Sequence, residues 1–144
     1  MNRACVLSEE VPPPAPRKTV RAFAERVLDA LNAENRHITI VFCDNPFIRS
    51  LNKQYRQKDE PTDVLSFTLG ETRRGTFYAG DIVISVETLE ENAKVFSVGK
   101  EEELRRLIIH GILHLSGMDH ATNDYEREAM LVLQEKLLKE TAWT

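Results

Sequence analysis

The chain has 144 residues, of which 42% are hydrophobic and 29% charged, a composition that is ordinary for one soluble globular domain. Its formal net charge of −4 argues against a general nucleic-acid coat but is compatible with local basic surfaces. No apolar run approaches the roughly 20 residues that cross a bilayer, and the N-terminus lacks a secretory hydrophobic region, so we expect a cytoplasmic protein with no membrane partner.

The secondary structure of the first segment of the chain is left undecided by the sequence. Residues 1–17 are expected to form a tail or a short edge strand that ends in a proline run, and residues 18–144 a single domain. Apolar residues at helical spacing predict an amphipathic helix from about residue 20 to 31. The β-branched run HITIVFC at 37–43 predicts a strand.

The middle of the chain is predicted to form one helix followed by two strands. Asp44 or Asn45 is expected to begin a helix that has a proline in its first turn. We predict that the buried face of this helix consists of Ile48, Leu51 and Tyr55. Strands are predicted at VLSFTL, residues 64–69, and at GDIVIS, residues 80–85, with ETRRGT between them as a turn or mobile loop.

The C-terminal part is mostly helical. Ser85 is expected to cap a helix that Gly99 closes, and a second helix is predicted from about residue 101 to 116. A final helix is marked by apolar residues at helical spacing, namely Tyr125, Ala129, Met130, Leu133, Leu137 and Leu138. Helices and strands mix without strict alternation, which predicts an α+β fold with a small mixed sheet packed with about five helices.

The segment HGILHLSGMDH, residues 110–120, carries three of the four histidines. His110 and His114 are four residues apart, so a helix places them on one face in consecutive turns. On a straight helix His120 would lie about 9 Å further along the axis, which is too far for a bond of about 2.0–2.1 Å. Gly117 is the residue type that ends a helix and turns the chain back. We therefore predict that these three histidines bind one metal ion.

Three neutral imidazoles suit a single zinc ion and leave a fourth position open, which is the catalytic pattern, although nickel and copper also bind histidine sites well. Cys5 and Cys43 are far apart and show no CxxC spacing, so neither a disulfide nor a cysteine ligand is indicated. Asp119 either orients a histidine or serves as a turn residue. His37 is interpreted as unrelated to the metal.

Three segments carry a family resemblance. HGILHLSGMDH, NKQYRQKDEPTDVLSF at 52–67 and GDIVIS at 80–85 resemble the YbeY family of bacterial metal-dependent endoribonucleases, over roughly residues 20–140. The resemblance implies that residues 18–144 are a catalytic domain with a zincin-like three-histidine site. It also implies a zinc-dependent endoribonuclease specific for single-stranded RNA, acting in small-subunit rRNA maturation and ribosome quality control. The expected partners are rRNA, the ribosomal small subunit and assembly factors; the oligomeric state stays open.

Two residues are expected to be catalytic, His114 and Arg56. The resemblance matches Arg56 to an arginine linked to activity in the family, and a guanidinium suits a phosphate because it donates two parallel hydrogen bonds. The alternative is a surface arginine that pairs with Asp59, Glu60 or Asp63. Further cations that could contact RNA are Arg49, Lys53, Lys58, Arg73, Arg74, Arg105 and Arg106, of which the last two more readily pair with Glu101 to Glu103.

Two other functions compete with this interpretation. The histidine spacing also matches the zinc-peptidase pattern HExxHxxGxxH, but Gly111 stands where a peptidase has its general-base glutamate. Such a base typically contributes 10²–10⁴-fold to the rate, so Gly111 disfavours a peptidase. The third possibility is a non-catalytic ribosome-assembly factor whose zinc only stabilises the fold.

Overall fold

A computed structural model describes residues 1–120, 122–125 and 128–144. Within them, one sheet contains the strands β1 (Arg3–Ser8), β2 (Arg36–Cys43), β3 (Val64–Arg73) and β4 (Thr76–Ser85). The strand order is β1-β2-β4-β3, in which β1, β2 and β4 run parallel and β3 is antiparallel to β4. The sheet is therefore small and mixed, as predicted.

The helices of the described residues are α1 (Arg17–Ala30), α2 (Asn45–Arg56), α3 (Val86–Val95), α4 (Lys100–Leu115) and α5 (Ala129–Glu140). These five helices around the mixed sheet confirm the α+β fold class. Asp44 caps α2 by accepting a hydrogen bond from the Phe47 backbone, and Ser85 caps α3 in the same way. No helix in this part of the chain has the length and apolarity that crossing a membrane requires.

Helix α4 lies at the centre of the molecule and packs against β3, β4, α1, α3 and α5. Most of its residues from Leu104 to Leu115 are buried, and each fully buried leucine or isoleucine contributes about 1.5–3 kcal/mol. It approaches the sheet closely at Gly111, where an added Cβ would lie 2.6 Å from the Ile82 Cγ2 of β4. The core therefore fixes the position of the helix that carries the first two histidines.

The buried face of α2 differs from the prediction. Ile48 is buried as expected, but Tyr55 is 56% exposed and rests against the Phe67 ring. The residue that turns inward is Asn52, which is 3% exposed and donates a hydrogen bond to the Glu60 carbonyl at 2.9 Å. Asn52 is buried because its amide holds the loop after α2, which a pattern of apolar residues cannot indicate.

Three boundaries also differ. The turn predicted at ETRRGT is present but shorter than that segment, because β3 and β4 pair as far as Arg73 and Thr76 and leave a two-residue turn in which Arg74 and Gly75 have positive φ. Helix α3 ends at Val95, and Gly99 instead forms the N-cap of α4. Tyr125 lies in a turn before α5, outside the helix in which it was expected.

Candidate active site

The end of α4 has the geometry that the histidine spacing requires. Gly117 has φ +92°, a conformation that favours glycine, and its N–H donates to the His114 carbonyl at 3.0 Å. The next N–H, from Met118, donates to the Leu113 carbonyl at 3.1 Å. This pair of hydrogen bonds is the Schellman motif, which reverses the chain after a helix. It brings residue 120 back towards the helix.

The three histidines converge as a result. Nitrogen atoms of His110, His114 and His120, one from each ring, all lie within 4.8 Å of one another. The Nε2 atoms of His110 and His114 are 3.1 Å apart. Two nitrogen ligands of a tetrahedral metal ion are separated by about 3.3 Å, given bonds of about 2.0–2.1 Å. The three side chains could therefore hold one metal ion.

Two of the rings are oriented through their other nitrogen. His110 Nδ1 lies 2.6 Å from the Gln134 Oε1 of α5, and His120 Nδ1 lies 2.7 Å from the Thr122 carbonyl oxygen. Because both partners accept, each Nδ1 carries the proton and each Nε2 presents a lone pair. Asp119 Oδ1 accepts from the His120 backbone N–H at 2.8 Å, and Asp119 also lines the cleft.

Burial favours the neutral form of His110 and His114. Desolvation lowers the pKa of His110, although its hydrogen bond to Gln134 acts in the opposite direction. Desolvation also lowers the pKa of His114, with the neighbouring His110 adding to the effect and Arg56 contributing more weakly. A lowered pKa favours the neutral imidazole, which is the form that binds a metal.

Arg56 lines the same cleft as the histidines. The cleft has a volume of about 320 Å³ and is lined by Arg56, Thr62, Asp63, Val64, Ser66, His110, His114, Asp119 and His120. Arg56 is the last residue of α2 and is exposed. It has no ion pair within the described residues, since Asp59 pairs with Arg49 at 2.8 Å instead. Its guanidinium is therefore available to an anion.

Most of the other cations that could contact RNA are neutralised. Their ion pairs are Arg49 and Lys53 with Asp59, Arg73 with Glu71, Arg105 with Glu101, and Arg106 with Glu102, Glu103 and Glu135. Lys58 and Arg74 have no ion pair within 1–120, 122–125 and 128–144. His37 contacts the Tyr78 ring at 5.1 Å and is not part of the histidine cluster.

The sequence prediction missed two buried polar residues near the site, one on α5 and one on α4. Gln134 is only 1% exposed and lies among apolar residues of α5, and Glu103 is buried on α4. Burial raises the pKa of Glu103, while Arg106 and Asn92 favour its charged form. The available signal was a polar residue on the apolar face of a helix, because Gln134 lies four residues from Met130 and from Leu138, which are both buried.

Gly111 faces the sheet and not the cleft. Its missing side chain would contact three atoms of Ile82 at 2.6–3.0 Å, two of them below 3.0 Å. A glutamate at this position would therefore collide with β4. The position that supplies the general base in a HExxH peptidase here serves the packing of α4 on the sheet.

The fold and the cleft together define a class, small α+β proteins with an open three-histidine centre. The model of the family "Endoribonuclease YbeY" matches residues 7–142. The chain therefore belongs to the endoribonuclease YbeY family.

Relatives and a solved structure agree with this assignment. The chain is 50% identical to endoribonuclease YbeY of Treponema denticola, covering 96% of this chain and 93% of that protein. It is 46% identical to endoribonuclease YbeY of Borreliella burgdorferi, covering 82% of each. The solution structure of TM1509 from Thermotoga maritima matches with a TM-score of 0.63 at 31% identity, over 94% of this chain and 87% of that one.

Proposed function

We propose that this chain is a zinc-dependent endoribonuclease that cleaves single-stranded RNA in the cytoplasm, in maturation of small-subunit rRNA and in ribosome quality control. Membership of the endoribonuclease YbeY family supports the cleavage of RNA. The observation that carries the proposal is the cleft itself, which is lined by three converging imidazoles and by an arginine that has no ion pair among the described residues. Its partners are rRNA and the small subunit or its assembly factors.

The histidines fit zinc by their chemistry. All three offer a ring nitrogen, and two of them have Nδ1 committed to a hydrogen-bond acceptor. No cysteine lies in the cleft, and three protein ligands leave a position open to substrate. When bound, zinc supplies Lewis-acid polarisation of a phosphoryl oxygen. His110, His114 and His120 are the proposed ligands.

The proposed role of Arg56 is to bind the phosphate. Its guanidinium donates to the non-bridging oxygens and stabilises the charge that develops on them. Asn52 supports this role because its side chain and its backbone carbonyl both hold the loop that follows Arg56. Gln134 keeps the His110 ring turned into the cleft. Thr62 and Ser66 offer hydroxyl groups at the same wall.

The first experiment measures metal content together with cleavage of a single-stranded rRNA fragment, for wild type and for His114→Ala. Circular dichroism verifies that the variant is folded. We expect about one zinc per wild-type chain and cleavage of single-stranded regions, and neither in the variant. A folded, metal-free variant that cleaves at the wild-type rate would refute the proposal. Zinc in wild type without any cleavage, in turn, would favour the non-catalytic assembly factor.

A further inference from the structure

A second and larger cavity adjoins the cleft. It has a volume of about 780 Å³ and shares Asp63, Val64, His110 and His120 with the smaller one. A cavity of this volume lies within the range of ordinary small-ligand sites. The two cavities share a wall and two histidines. An RNA strand whose phosphate lies at the histidines can therefore place an adjoining group in the larger cavity.

Two aromatic side chains line this cavity without being buried by the fold. Phe96, which follows α3, is 59% exposed, and Tyr125, in the turn before α5, is 47% exposed. Burial raises the pKa of Tyr125, and a hydrogen bond with Gln134, the same side chain that contacts His110, opposes this rise. Exposed rings at a cavity wall are surfaces on which a planar group can stack.

The charge of the lining selects what can enter. Asp63, Glu103 and Glu135 contribute three carboxylates, against which Arg106 is the one guanidinium among the lining residues of the described chain. Arg106 is already committed to Glu103 and Glu135 at 3.0 Å. This lining repels a phosphate but not an uncharged planar ring. The cation that is available for a phosphate, Arg56, lines only the smaller cleft.

We propose that the larger cavity binds a nucleobase, the base of a nucleotide adjoining the phosphate that occupies the histidine cleft. Phe96 and Tyr125 stack on the base, and the acidic lining keeps the backbone on the Arg56 side. The inference rests on the proposed function, which it extends by a base subsite. It also gives single-strand specificity a physical origin, since a base paired in a duplex cannot enter a side cavity.

The test compares two ligands that differ only in their bases. Fluorescence anisotropy measures the affinity of the zinc-loaded full-length protein for a labelled oligoadenylate and for an abasic ribose-phosphate oligomer of equal length, at one salt concentration. The measurement is repeated after chelation of the metal. We expect wild type to bind the oligoadenylate about 5- to 100-fold more tightly, the range typical of base–aromatic stacking.

The variants locate that preference. Phe96→Ala and Tyr125→Ala are expected to reduce it at least threefold while leaving the affinity for the abasic oligomer unchanged. Tyr125→Phe, which keeps the ring, should preserve it. Phe47→Ala is the matched control, because Phe47 is a partly exposed aromatic residue that lines neither cavity.

The outcomes separate the two proposals. If wild type cleaves RNA but the alanine variants keep the full preference, the base subsite is wrong and the nuclease stands. A wild-type protein that prefers neither oligomer also rules out the subsite, whatever its cleavage activity. If wild type binds and cleaves no RNA at all, the proposed function itself fails. Loss of the preference in Phe96→Ala and Tyr125→Ala alone supports the subsite.

Discussion

The two walls of the cleft are built differently. His110 and His114 project from α4, which packs against two strands of the sheet and three other helices. Arg56 and His120 lie on exposed segments, one at the end of α2 and one after the helix-ending turn at Gly117. The first wall is fixed by the hydrophobic core. The second is fixed by a few local hydrogen bonds.

The contrast indicates how stability and activity are divided between the walls. Changes on the α4 wall should alter the free energy of unfolding, because they alter packing in the core. Changes on the exposed wall, and changes to the polar groups of the α4 wall that contact the histidines, should alter metal affinity or turnover and leave the fold nearly intact. The predictions below test this division, beginning with the largest expected effect.

Arg56→Ala, a change on the exposed wall, should lower turnover without altering metal binding or stability. We expect kcat to fall about 10²–10³-fold, the cost of removing one donor to a developing oxyanion, with zinc content and thermal unfolding unchanged. Arg21→Ala is the matched control, since Arg21 is an exposed arginine on α1, remote from the cleft lining. An Arg56→Ala protein with its zinc and full nuclease activity would end the proposed role.

Gln134→Leu tests how the α4 wall is oriented. The substitution conserves volume but removes the acceptor from His110 Nδ1, so zinc affinity should fall about 10- to 100-fold. Competition with a chromogenic chelator measures the affinity. Gln54→Leu, at an exposed position of α2, supplies the control. Equal zinc affinities in all three proteins would show that Gln134 does not orient the ligand.

Gly111→Ala probes the packing of α4 on β4. The new methyl group would lie 2.6 Å from Ile82 Cγ2, so the variant should lose about 1–3 kcal/mol of unfolding free energy in urea. Gly99→Ala is the comparison, because an added Cβ there meets no atom within 4 Å. An unchanged unfolding midpoint for Gly111→Ala would mean that the helix does not approach the sheet as described.

Gly117→Ala affects the turn that connects α4 to His120. Alanine at φ +92° is strained by about 1–2 kcal/mol, which should loosen the turn that brings His120 to the other two histidines. We expect weaker zinc binding with a smaller loss of global stability than for Gly111→Ala. Isothermal titration and urea unfolding of the same samples measure both. A loss of stability without any change in zinc affinity would contradict this role of the turn.

Acidification should have the smallest effect. It should lower the free energy of unfolding through the two histidines of the α4 wall. Burial lowers the pKa of His110 and His114 below the ordinary value of 6.5, so the metal-free folded state binds protons less readily than the unfolded state. Their contribution to stability is therefore complete above pH 6.5 and declines as the pH falls through that value. Urea unfolding of metal-free wild type and a His110→Gln/His114→Gln variant between pH 5 and 8 measures the difference. Parallel pH profiles would contradict it.

The sequence predicted those parts of the site that depend on local geometry. Helical spacing places His110 and His114 together, and the left-handed preference of glycine at 117 returns the chain towards them. Gln134 escaped prediction because its partner, His110, lies 24 residues away on another helix. Its role depends on how α4 and α5 pack, which periodicity within one helix does not specify.

For the fold too, features that depend on neighbouring residues were predicted and features that depend on packing between elements were not. Capping by Asp44 and Ser85 was predicted because it involves residues three apart. The exposure of Tyr55 was not predicted, because the spacing of residues within one helix does not specify which of them the rest of the fold covers. The parallel pairing of β1, β2 and β4 joins segments that are distant along the chain. Such pairings are decided by tertiary packing, so the class of sheet could be predicted but not its order.

Gly111 also constrains what this scaffold can become. The histidine spacing is already that of a HExxH peptidase, so the two designs differ in the helix by one residue. Ile82 makes that single step unfavourable, because the helix cannot accept a side chain until the strand beneath it has given up volume. A path from this nuclease framework to peptide hydrolysis, in evolution or in design, would therefore have to begin in β4 and only then reach the histidine helix.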